Sequence, residues 1–278
     1  MAAMTRHFLV ALDGSPSSDA ALRRAFQLAP AVGASVTGIH VLDTAQLEAS
    51  FIADLSGSVG FQPFLNLSAE LRTALDAVGR AIVADFEAKR EAAGVPGAGR
   101  MVQGLVVSEL VGAAAGADLV FLGLHGTGVR RGKALGGHAD ALVRRLAVPA
   151  FLSSADPAPI RRPVAAFDGS ERSLRALRAA AEIGAALHLP LDVVTVADSA
   201  GETDERRRTA AAALEGFAVA WTFVSARGHP EDVLTARAGE NDLIAIGSHG
   251  HGRIVELVLG STTERVLRRS SVSVLCVP

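Results

Sequence analysis

The chain repeats itself, and that repeat limits how it can fold. Phe8-Leu9-Val10-Ala11-Leu12-Asp13-Gly14-Ser15 returns as Pro163-Val164-Ala165-Ala166-Phe167-Asp168-Gly169-Ser170, an offset of 155 from Asp13 to Asp168. The register continues without a gap to Val41 and Val196. A second block sets Asp118-Leu119-Val120-Phe121-Leu122-Gly123 against Asp242-Leu243-Ile244-Ala245-Ile246-Gly247, an offset of 124. That block extends back to Gly104 and Gly228 and forward to Val148 and Val272. The change of offset from 155 to 124 places one 31-residue insertion in the first half, within 42–103. Two gapless blocks in the same order mean duplication of a whole domain, not a solenoid of small units.

The expected domains are 1–155 and 160–278, joined through the polar, three-proline stretch Ser153–Pro163. Short apolar runs at Leu9–Leu12, Val36–Val41, Leu119–Leu122 and Val148–Leu152 predict strands buried on both faces. Helical spacing over Ser17–Val32 and Ser108–Ala115 predicts helices between them. Alternating strands and helices give right-handed βαβ units and an open parallel sheet in each half. Each half ends on an apolar strand, Val148–Leu152 and Val272–Val277, which an open sheet leaves at its edge.

Hydrophobic residues make up 49% of the chain and charged ones 20%, so both domains can bury a core. A net charge of −2 supplies no basic footprint for nucleic acid. The single Cys276 rules out an internal disulfide and reads as a buried strand residue. No apolar run reaches the length of a membrane span or a signal-peptide core, and the expected location is cytoplasmic.

The chemistry-bearing pattern follows the fourth predicted strand of each half. In the second half Gly247-Ser248-His249-Gly250 is followed, nine residues on, by Gly260-Ser261-Thr262. The first half has Gly123-Leu124-His125-Gly126, nine residues, then Gly136-Gly137-His138. Glycines at such a hand-over let backbone amides approach an anion, and the helix that follows offers free N–H groups to phosphate. Asp13 and Asp168 end the first strands, each before Gly-Ser, where a carboxylate can accept from a ribose or adenine, or help hold a metal. Glycines alone are commonly turn formers, and aspartate before Gly-Ser is a common helix cap. Both features recurring in register point to a shared site.

Gly-x-x-Gly, nine residues, then Gly-[Ser/Thr], with Val10-Ala11-Leu12-Asp13-Gly14-Ser15 leading, resembles the ATP-binding signature of the universal stress protein family. The resemblance implies two tandem flavodoxin-like α/β domains of strand order 3-2-1-4-5, forming a pseudo-dimer through their last strands. It also implies adenine nucleotide, ATP with Mg²⁺, at the strand ends. By matching position, Ala166 and Asp168 lie by the adenosine, with Val196 and Ile246 as its apolar wall. Gly247, Gly250, Gly260, Ser261 and Thr262 then hold the phosphates. The first-half matches are Ala11, Asp13, Val41, Leu122, Gly123, Gly126, Gly136 and Gly137. Gly137 departs from the family pattern, which has Ser or Thr there, so the first site is expected to be degenerate. Gly260→Val is expected to abolish binding, by filling phosphate space and by resisting a positive φ.

His125, His249 and His251 lack a third ligand for a closed metal site. Neither a P-loop nor a Gly-x-Gly-x-x-Gly fingerprint is present, and no nucleophile with a base appears. The expectation is a nucleotide-binding stress-response regulator and not an enzyme, with a protein client that the sequence does not name and homodimerisation of the whole chain left open. The alternative is a nucleotide-poor scaffold that binds a protein or apolar ligand through the insertion, whose Leu47–Leu65 stretch is apolar.

Overall fold

A computed structural model describes residues 7–45, 67–125, 136–156, 158–248 and 259–278. In the first half β1 (His7–Ala11), α1 (Pro16–Val32), β2 (Ser35–Asp43), α2 (Leu67–Ala92), β3 (Gly97–Gly104), α3 (Val106–Ala114), β4 (Leu119–Gly123), α4 (Gly137–Arg145) and β5 (Ala150–Ser153) alternate. The second half repeats them as β6 (Arg162–Ala166), α5 (Glu171–Leu187), β7 (Leu191–Val196), α6 (Ala200–Leu214), β8 (Trp221–Ala226), α7 (Pro230–Arg237), β9 (Asp242–Gly247), α8 (Ser261–Arg269) and β10 (Ser273–Val277).

The strands form one ten-stranded sheet, β3-β2-β1-β4-β5-β10-β9-β6-β7-β8. Each half has the order 3-2-1-4-5 with parallel pairing, and the halves join through the antiparallel pair β5–β10. The predicted run Val148–Leu152 enters the ladder two residues late. Pro149 has no N–H to give, and its carbonyl accepts from the Val120 amide at 3.0 Å just before β5 begins.

Helices cover both faces, so the central strands are apolar throughout, as βαβ crossovers require. One core, with Phe8, Leu28, Phe86, Phe121, Phe151, Leu177, Leu243 and Leu275, lies under α1, α2, α5 and α6. The other, with Leu9, Leu142, Leu152, Ile244 and Val266, lies under α3, α4, α7 and α8. Both run unbroken from one half into the other. At the seam the Ser154 amide donates to Ser273 Oγ at 3.2 Å and the Ile160 amide to Gln27 Oε1 at 3.1 Å. Cys276 is buried on β10, and loss of solvation pushes its thiol up to about 12, so it stays neutral.

Strand registers place the insertion. Val36 pairs with Gly97 in β2–β3 and Leu191 with Trp221 in β7–β8, which keeps both repeat offsets. The helices between these strands match at the 124 offset, and α2 has 26 residues where α6 has 15. The added residues therefore lie after β2 and at the start of α2. Residues 46–66, which hold the apolar stretch, are outside the described residues.

At the opposite end of the strands the halves have diverged. Arg162 joins Asp192 at 2.8 Å and Asp242 at 2.5 Å, and Arg237 also reaches Asp192 at 2.6 Å. The first half has His7 in place of Arg162, and its ring meets Thr37 Oγ1 at 2.9 Å while its amide donates to Asp118 at 3.0 Å.

Candidate functional site

The carboxyl ends of β6 and β9, neighbours in the sheet, diverge toward helices on opposite faces. Crevices form at such a switch of direction. Here a cleft of about 290 Å³ opens, near the lower end of small-ligand sites. Of the residues expected to act together, Ala166, Asp168, Val196, Ile246, Gly247, Gly260, Ser261 and Thr262 all line it. Gly250, His249 and His251 lie outside the described residues.

Local sequence sets up each wall. After β6 the chain turns through Gly169 at φ +84°, a left-handed conformation that favours glycine. Ser170 then caps α5, its Oγ accepting from the Ser173 amide at 3.2 Å. The Asp168 carboxylate closes the same turn by accepting from the Ser170 amide at 2.9 Å. Desolvation in the cleft pushes this carboxyl up. The hydrogen bonds from Ser170 and Ser173 and the charge of Arg206 outweigh that, holding it below the ordinary carboxylate range. Asp168 is therefore an ionised acceptor at neutral pH.

Across the cleft, Gly260 is the cap of α8 and offers no side-chain bond to its first turn. That leaves first-turn amides beside Ser261 and Thr262, the arrangement that suits an anion. Thr263 Oγ1 donates to the Gly247 carbonyl at 2.7 Å, and the Gly260 amide to the Ser248 carbonyl at 3.2 Å, so the two glycine segments are tied together.

Two glycine arguments change in the structure. Gly260 has φ −59° and ψ 142°, which any residue can adopt, so positive φ does not explain it. Gly247 is required by packing, since a Cβ there would stand 2.9 Å from Arg172 Cβ and 3.2 Å from its carbonyl carbon. Gly123 meets the first turn of α1 in the same way, 2.9 Å from Ser17 Cβ.

The first-half residues occupy equivalent places. Ala11 and Asp13 stand at the end of β1, Val41 on β2, Leu122 and Gly123 on β4, and Gly136 and Gly137 at the start of α4, while Gly126 lies outside the described residues. The Asp13 carboxylate accepts from the Ser15 amide at 2.8 Å, as Asp168 does from Ser170. At the start of α4 the hydroxyls are absent, because Gly137, His138 and Ala139 replace Ser261, Thr262 and Thr263.

Sequence reasoning missed Arg172, which lines the cleft. It also missed Arg206, which donates to the Val196 carbonyl at 2.6 Å and to Thr195 Oγ1 at 3.0 Å. Arg172 falls opposite Ser17 in the repeat, so nothing in the pattern drew attention to it. Arg206 lies between the two aligned blocks, where only strand register relates the halves. Among the described residues no three His, Cys, Asp or Glu side chains gather to hold a metal ion, and no helix is long and apolar enough to cross a membrane.

This architecture occurs in known proteins. A universal stress protein from Archaeoglobus fulgidus superposes with a TM-score of 0.71 at 20% identity, over 98% of this chain and 97% of that one. A functionally unknown protein from Pseudomonas aeruginosa gives 0.66 at 17% identity, over 98% and 92%. In sequence, the universal stress protein Slr1230 of Synechocystis is 27% identical over 291 residues, spanning 97% of this chain and 99% of its own. The sequence model of the Universal stress protein family matches residues 4–152 and 199–278, one stretch in each half. With two tandem copies of its fold, the chain belongs to the universal stress protein family.

Proposed function

We propose that this protein is an ATP-binding regulator of a stress response that holds its nucleotide, with Mg²⁺, in the second half. The observation that carries this reading is the convergence of eight residues on one cleft, with opposite chemistry at its two ends. Asp168 supplies an ionised acceptor for the nucleoside, and Val194, Val196, Leu234 and Ile246 supply apolar walls for a base. At the other end the cap of α8 with Ser261 and Thr262 presents donors to phosphate. Among the described residues the lining contains several hydroxyls but no His, Cys or Lys to activate one, which favours retention of nucleotide over turnover. Mass spectrometry of small molecules released from the purified protein, followed by calorimetric titration with Mg·ATP, tests the reading. An adenine nucleotide at one per chain is expected. A protein that neither carries nor binds one refutes it.

A further inference from the structure

The two halves differ in chemistry at one position beside the aspartate turn. In the second half Arg206 of α6 passes along that turn, its Cγ 3.8 Å from where a Cβ on Gly169 would stand. In the first half the equivalent place is filled by Ile82 of α2, whose Cδ1 stands 3.2 Å from the corresponding point on Gly14. The pair keeps the 124-residue offset. Arg206 is largely buried, 17% exposed, and both its Nη atoms are engaged. One Nη donates to the Val196 carbonyl and Thr195 Oγ1, and the other pairs with Glu202 at 2.5 Å. In the first half His40 replaces Thr195, and its ring bonds the Leu12 carbonyl at 2.7 Å instead.

We propose that Arg206 is a positioning residue of the second-half cleft. It clamps the carboxyl end of β7 while its stem runs along the turn at Gly169 that carries Asp168, so that this carboxylate takes hydrogen-bond donors from the nucleoside part of the ligand. The consequence is selectivity, because an ionised acceptor held in place rejects a ligand that brings no donor. Its charge also explains in part why Asp168 stays ionised despite partial burial. With Ile82 at this place, the first half has no cation to do the same.

The inference rests on nucleotide binding in the second half, and the test separates the two. Dissociation constants are measured with Mg²⁺ for ATP, for inosine triphosphate, which lacks the amino donor, and for 2′,3′-dideoxy-ATP, which lacks the hydroxyl donors. The full-length chain is expected to favour ATP over at least one analogue by about tenfold. That ratio should fall to about one in Arg206→Ile and in Asp168→Asn, and lie between in Arg206→Lys. In the Asp168→Asn background, adding Arg206→Ile should change it no further. An unchanged ratio in Arg206→Ile or Arg206→Lys, or independent losses in the double variant, overturns the inference alone. Equal binding of all three ligands by the unaltered protein does so too. Failure of the unaltered protein to bind any adenine nucleotide overturns the functional reading and the inference with it. Should Arg206→Ile not fold, Arg206→Lys and Asp168→Asn still decide the matter.

Discussion

Phe151 stands directly across the antiparallel β5–β10 ladder from Leu275, and the two are the same position of the two halves. A residue that faces its own repeat equivalent marks a local two-fold axis. The neighbouring pairs agree, with Ala150 opposite Cys276 and Leu152 opposite Val274. Phe151 is 0% and Leu275 1% exposed, so the axis runs through dry core. Each half thereby covers the edge that the other would leave unpaired.

This relationship makes the stability of the halves inseparable. Deleting Ser273–Pro278 removes one of the two strand neighbours of β5 and one of those of β9. Amide exchange over residues 140–152 should quicken along with that of the second half. Phe151→Ala should cost about 3–5 kcal/mol in a single unfolding transition that includes both halves. Slow exchange in 140–152 after the truncation would refute the coupling.

The repeat made most of this legible. Asp13 against Asp168 and Gly123 against Gly247 gave the halves and their strands, and buried apolar runs gave parallel sheets. The cleft was legible where motif residues carry it, from Asp168 to Gly260. What escaped depends on contacts between elements that share no motif. The Arg206–Val196 bond appears only once α6 folds back over the carboxyl end of β7. Likewise nothing local announces that Arg162, Asp192 and Asp242 meet, or that His7 and Thr37 replace two of them. Gly247 was read as an anion contact, yet its missing Cβ is accounted for by Arg172, across the turn.

Arg24 offers a test at the seam. It is 1% exposed, and only its Nη2 is bonded, to the Asp156 carbonyl at 3.2 Å, while Nε and Nη1 have no partner. Burial lowers the guanidinium's affinity for its proton, against the smaller opposing pull of Asp156. A buried cation so poorly satisfied contributes little to stability, whereas its stem fills space. Arg24→Met should leave the protein as stable or up to about 3 kcal/mol more stable in urea unfolding. Arg24→Ala should destabilise through the void it leaves. A clear loss in the methionine variant would mean that the charge itself is needed.

Glu182 on α5 gives a pH prediction with a definite sign. Burial raises its carboxyl above the ordinary range, and no hydrogen bond or ion pair to its side chain offsets this among the described residues. A carboxyl whose folded pKa exceeds its unfolded one binds its proton more tightly when folded. The ionised form therefore weighs against folding above that raised pKa, and the loss is recovered as pH falls through it. The first half has Gln27 at the equivalent place, where it accepts from Ile160. Glu182→Gln should raise the melting temperature near pH 8, and its advantage should vanish in acid. An advantage that grew as pH fell would contradict the assignment.

The last prediction concerns how many sites the chain has. Gly260 has an ordinary negative φ, so backbone strain does not oppose a side chain there, and in Gly260→Val loss of the glycine cap itself costs about 1 kcal/mol. Its branched side chain would nevertheless stand in the cleft beside Ser261 and Thr262, where phosphate is proposed to bind. Calorimetry with Mg·ATP should therefore show one site in the unaltered chain and none in Gly260→Val, while the melt moves little. The mirror substitution, Gly136→Val, should leave the titration unchanged, because Gly137 and Ala139 lack the hydroxyls of Ser261 and Thr263. Restoring them with Gly137→Ser and Ala139→Thr asks whether those losses suffice to explain the difference. With Ile82 still beside Asp13, a second site of equal affinity is not expected to appear. Two equal sites in the unaltered chain would show that the first half binds as well, and a titration abolished by Gly136→Val alone would place the nucleotide there instead.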